Sequence, residues 1–169
     1  MNTVTNFPQR ALKACLEAMN NGSLSPIHIK NLTKYKNVKI DVEPFKVFLH
    51  HKDAHIRKGA ISVIFRYGDK MELLEFIKRE KDKTNLLFAI KLIKESQEIF
   101  KDRIDELIVC LKMFDRVVRE AAVETFRCYG RADLLLSLVF ETDEELIKRV
   151  KRYIEEYDKC SYNAEKTDV

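Results

Sequence analysis

Residues 53–69 read DAHIRKGAISVIFRYGD, and residues 115–131 read DRVVREAAVETFRCYGR. The two stretches lie 62 residues apart and share Asp, Arg four on, Ala seven on, and the closing pair Tyr-Gly. A phrase written twice in a short chain marks a structural unit that stacks on copies of itself. Partial copies begin at Asp82, which keeps Ala89, and at Asp143, which keeps Ile147, Val150 and Tyr157. The unit therefore starts at 53, 82, 115 and 143, with spacings of 29, 33 and 28 residues.

Each part of the unit has a physical reading. The leading Asp is a helix N-cap, its carboxylate taking up backbone N–H groups of the first turn. The apolar residues that follow, Ile56, Ala60, Val63, Ile64 and Tyr67, recur at helical spacing, as do Val118, Ala122, Phe126 and Tyr129. The small residues Ala60, Ala89 and Ala122 let neighbouring helices approach. Gly68 and Gly130 are expected to end their helices in the left-handed conformation. Second helices are predicted over residues 71–78, 104–111 and 132–140. With only 4 Gly and 3 Pro in 169 residues, a loop-rich or all-β design is disfavoured.

The pattern predicts an all-α chain, an α-solenoid of antiparallel helix pairs. It resembles the short HEAT-like repeats, which carry an Asp, an Arg four on and an Ala three after that. Asp53-Arg57-Ala60 and Asp115-Arg119-Ala122 match in full; Asp82 and Asp143 match in part. The resemblance covers about residues 42–159 and implies a fold far more than a function. A single domain is expected over residues 1–159, with residues 1–52 as a divergent N-terminal cap and 160–169 as a flexible tail. In the cap, helices are expected over residues 10–20, from Pro26, and from Asp41 with Pro44 in its first turn.

Composition bounds the function classes. No apolar run reaches the roughly 20 residues of a membrane helix, so no membrane partner is expected. Cys15, Cys110, Cys128 and Cys160 form no CxxC pair, and Cys110 and Cys128 read as buried thiols in a reducing, cytoplasmic setting. HHKDAH, residues 50–55, reads as an inter-helix turn rather than a metal site. Glycine-rich phosphate loops and GxSxG or HExxH motifs are absent from the sequence. The expectation is a non-enzyme without cofactor.

Three surfaces remain as candidates. If the second helices line the concave face, as in this family, Lys70, Glu72, Glu75, Lys78 and Arg79 would present a protein-binding surface. Lys101, Arg103, Asp105 and Glu106 are the equivalent set in the next unit. ADLLLSLVF, residues 132–140, is apolar all round, with Leu134, Leu136, Leu138 and Phe140 as a candidate interface. Either a homodimer or partner helix covers it, or helix 143–158 and the tail do. Residues 1–40 hold six Lys+Arg against one acid, Glu17, so Lys30, Lys34, Lys36 and Lys39 are candidate nucleic-acid contacts. The leading expectation is a scaffold for an unidentified protein partner; nucleic-acid binding is the alternative. Alkylpurine DNA glycosylases share the architecture, but they lean on Trp in the cleft, and this chain has none.

Overall fold

The computed structural model describes residues 7–35, 39–113 and 115–135, with residues 144, 147, 148, 150–152, 154 and 155. All regular structure among them is helical. Contacts divide the chain into two compact units, Met1–Asn85 and Leu86–Val169.

In the first unit, α1 (Phe7–Asn20) ends at Gly22, whose φ of +73° is the left-handed conformation that favours glycine. Helix α2 (Pro26–Thr33) begins with proline in its first turn and a capping box at Ser25. The box is completed by an imidazole: His28 Nδ1 accepts the Ser25 N–H at 3.1 Å. Helix α3 (Glu43–Lys46) runs into a 3-10 turn, Val47–His50, and Asp41 holds the Glu43 N–H at 3.1 Å. Helix α4 (Ala54–Tyr67) is the centre of the unit, and α2, α3, the 3-10 turn and α5 (Glu72–Arg79) all pack on it. Met19, Leu32, Phe45, Ile56, Ala60, Ile64, Leu73 and Ile77 form the core. The start of α5 is acidic and its end basic, which complements the helix dipole.

Helix α6 (Lys83–Glu95) leads into the second unit. Next come α7 (Gln97–Phe100), a 3-10 stretch over Lys101–Leu107, and α8 (Ile108–Leu111). A single helix over residues 104–111 was expected, and the structure corrects it. The backbone leaves helical geometry at Arg103 (φ −132°), and Ile104, Leu107 and Cys110 are buried at intervals of three. Ile104 and Leu107, both in the 3-10 stretch, share one face at three residues per turn, while Cys110 and Leu111 belong to the α-helical turn that follows. Helix α9 (Arg116–Cys128) is the counterpart of α4, with α8 and α10 (Ala132–Leu135) against it. Residues 136–140 and Asp143 lie outside the described residues.

The repeated phrase does the same jobs in both units. Asp53 accepts the His55 N–H at 2.8 Å, and Asp115 accepts those of Val117 and Val118 at 2.9 and 3.2 Å. Asp82 likewise takes the Asn85 N–H at 3.0 Å. Ala60, Ala89 and Ala122 are each fully buried. The tyrosines tie the end of each helix to an earlier one. Tyr67 Oη lies 2.6 Å from the Leu32 carbonyl oxygen and 2.9 Å from that of Tyr35, and Tyr129 Oη donates to the Ile93 carbonyl at 2.7 Å. Burial pushes the Tyr129 hydroxyl up to about 12. Tyr67→Phe and Tyr129→Phe should each lower stability by about 1 kcal/mol in urea unfolding. An unchanged midpoint would mean that the rings act by packing alone.

The glycines of the phrase differ. Gly130 has φ +66°, as expected, but Gly68 has φ −113° and is not left-handed. Its requirement is space: a Cβ there would lie 2.7 Å from Val42 Cγ2 and 3.1 Å from the Ile64 carbonyl oxygen.

Candidate functional site

The first repeat arginine, Arg57, turns inward to a carboxylate 23 residues away in the chain. Arg57 grips Glu80, Nε to Oε2 at 2.9 Å and Nη2 to Oε1 at 2.6 Å, while Nη1 donates to the His51 and Lys52 carbonyls. Glu80 also accepts the backbone N–H groups of Lys81 and Asp82 and the Asn85 amide at 2.8, 2.9 and 3.0 Å. Five donors thus saturate a carboxylate whose side chain is 0% exposed. Burial pushes the Glu80 carboxyl up, yet these bonds, that of Arg57 foremost, outweigh it and hold the group at about 2. Arg119 repeats part of the pattern, its Nη1 donating to the Met113 carbonyl at 2.9 Å. Nothing in the sequence around Glu80 signalled burial; the residue stands in a polar run, REKDK.

The expected protein-binding charges are mostly occupied near home. Lys70 sits 5.7 Å from the centroid of the Phe65 ring. Glu72 and Glu43 share Lys46, and Glu75 pairs with Lys78 at 2.7 Å. Arg79 Nε donates to the Glu75 carbonyl. In the second unit Lys101 reaches Glu98 at 3.5 Å, Arg103 pairs with Glu106, and Asp105 is exposed. Such exposed pairs are screened by solvent and add little stability. They also leave few charges in these two sets free to draw in a partner. Of the expected apolar interface, Leu134 is half-buried, whereas Leu136, Leu138 and Phe140 lie outside the described residues. Cys15 and Cys110 are buried, with thiols pushed up by burial to about 11 and about 12. Cys128, expected buried, is half-buried at the end of α9.

Residues 51–53 form the turn between the 3-10 segment that ends at His50 and helix α4, which begins at Ala54. His51 Nδ1 accepts the Asp53 N–H at 3.0 Å, His55 Nε2 lies 3.1 Å from the Leu24 carbonyl oxygen, and His50 Nε2 lies 3.4 Å from Arg79 Nη1. Among the described residues no group of three or more His, Cys, Asp or Glu is placed to hold a metal ion. Nor is any helix there long and apolar enough to cross a membrane.

The α1–α2 groove is the surface with the clearest binding character. It holds about 390 Å³ and is lined by Phe7, Arg10, Ala11, Ala14, His28, Asn31, Lys34 and Tyr35. Ala11 and Ala14, one turn apart on α1, keep its wall low. Phe7 at its end is 63% exposed, and Ile27 at the start of α2 is also exposed. Lys34 is anchored to Asn31 Oδ1 at 3.1 Å. Among the described residues that line the groove there is no carboxylate. Of the lysines expected to be basic contacts, Lys34 lines it, Lys30 and Lys39 are exposed, and Lys36 lies outside the described residues. Phe7 and Arg10 were not singled out from the sequence; an aromatic and a base flanking two alanines at helical spacing were the available signal.

Comparison with known proteins finds no family model, no curated protein and no solved structure that matches the chain.

Proposed function

We propose that this chain is a non-catalytic, protein-binding module built from HEAT-like helix pairs, and that the α1–α2 groove takes an acidic, amphipathic segment of its partner. The groove carries this reading: exposed Phe7 offers an apolar anchor, and Arg10 and Lys34 supply positive charge with no acid among the lining residues. The recurrence of cap, buried alanine and tyrosine tie in both units supports the repeat character.

The test is a selection of displayed 12-residue peptides on the native protein and on a Phe7→Ser/Arg10→Glu/Lys34→Glu variant. The native protein should enrich peptides that combine Asp or Glu with Leu or Phe, and the variant should not retain them. Peptides without acidic bias, or held equally by the variant, would contradict the assignment. The second reading, nucleic acid on the same basic face, rests on Tyr35 beside Lys34. It requires an oligonucleotide affinity that falls steeply with salt and weakens when Lys30, Lys34, Lys36 and Lys39 are changed together to alanine.

A further inference from the structure

A second cleft in the first unit has a different chemistry and shares no residue with the α1–α2 groove. It lies between the 3-10 turn Val47–His50 and the end of α5, and holds about 280 Å³. Its polar lining is His50, His51, Arg57, Arg79, Glu80 and Lys81. Leu49 and Phe76, both buried, supply its apolar part.

Glu80 is the one carboxylate among these lining residues, and it is already saturated by five donors. Its charge is matched by Arg57. Arg79 and Lys81 therefore contribute net positive charge that no carboxylate in the cleft offsets. Arg79 gives Nε to the Glu75 backbone carbonyl, which fixes the guanidinium without neutralising it. His51 accepts a backbone N–H at Nδ1, so its Nε2 carries the proton and is a donor. Arg57 spends four of its five N–H groups on Glu80 and two carbonyls, which leaves one on Nη2. The cleft thus gathers donors from three segments: the turn at 50–51, helix α4 and the end of α5 with Lys81.

We infer that this cleft binds a phosphomonoester, with Arg79, Lys81 and His51 as the phosphate ligands. Several donors from different segments suit a tetrahedral anion with three terminal oxygens better than a planar carboxylate with two. The volume exceeds that of a lone phosphate, and the apolar contribution of Leu49 and Phe76 suits the stem that carries it. The stem is either a phosphorylated side chain of a peptide or a small phosphorylated metabolite.

The experiment is an NMR titration of the full chain at constant ionic strength. The probes are inorganic phosphate, acetyl-Ala-phosphoSer-Ala-amide, adenosine monophosphate and, as the carboxylate control, acetyl-Ala-Asp-Ala-amide. Saturable shifts at His50, His51, Arg79 and Lys81 are expected with the phosphorylated probes, and weaker binding of the aspartyl peptide. Tighter binding of the phosphopeptide than of the nucleotide identifies a protein source; the reverse order identifies a metabolite. Arg79→Gln/Lys81→Gln, two exposed positions, should weaken binding at least about tenfold while the helical circular dichroism is unchanged. Unsaturable or scattered shifts, equal binding of the aspartyl peptide, or unchanged affinity in the double variant would each overturn the inference.

Discussion

Glu80→Ala should lower the unfolding free energy by about 3–5 kcal/mol, because it strands a buried guanidinium. Arg57 is only 17% exposed, and its Nε and Nη2 would lose their acceptors together. The Lys81 and Asp82 N–H groups and the Asn85 amide would lose theirs as well. Arg57→Ala should cost a similar amount, and the double variant less than the sum of the two, as expected of residues that act on each other. Urea unfolding at neutral pH measures all three; a loss below about 1 kcal/mol in either single variant would show the network to be dispensable.

The same group predicts an acid response. The Glu80 carboxyl is held at about 2 in the folded chain, against its ordinary 4.5. A depressed carboxyl stabilises the fold fully above its unfolded value and loses that contribution as pH falls through the folded one. The native protein should therefore lose about 3 kcal/mol from this residue between pH 4.5 and 2. Glu80→Gln, less stable throughout, should lack that part of the slope.

Gly68→Ala should cost about 1–3 kcal/mol, and the cause should be Val42. The new methyl would sit 2.7 Å from Val42 Cγ2, inside any real contact distance. Val42→Ala removes that atom, so the double variant should recover much of the loss. Were Gly68 required for a left-handed φ, Val42→Ala would recover nothing, since the strain would lie in the backbone. The recovery in a double-mutant cycle therefore separates space from conformation.

Most of the helices could be read from local pattern. Caps at Asp53, Asp82 and Asp115 are decided within three residues of chain, and the helical recurrence of apolar residues along α4 and α9 marks their buried faces. The helix expected at 71–78 lies at Glu72–Arg79 for the same reason. Where local rules allow two outcomes they misled at two places: at Gly68, because glycine after a helix suits both a left-handed cap and a tight contact, and at residues 101–107, because apolar residues three apart suit both α and 3-10 turns.

The candidate sites were less legible, because they depend on partners distant in the chain. Glu80 is 23 residues from Arg57, and Leu32 is 35 residues from Tyr67. Charge counting marked the basic N-terminal stretch, but not that Lys34 would share a groove with Phe7 and Arg10. Nor could it show which charges are already neutralised: Glu80 and Glu75 look alike in sequence, yet one is buried under five donors and the other pairs with Lys78 at the surface. Local backbone chemistry and hydrophobic period act over a few residues, so they are written in the chain directly. Burial, and the choice of partner that makes a charge structural or leaves it available, arise only when distant segments meet, so the folded structure alone decided them.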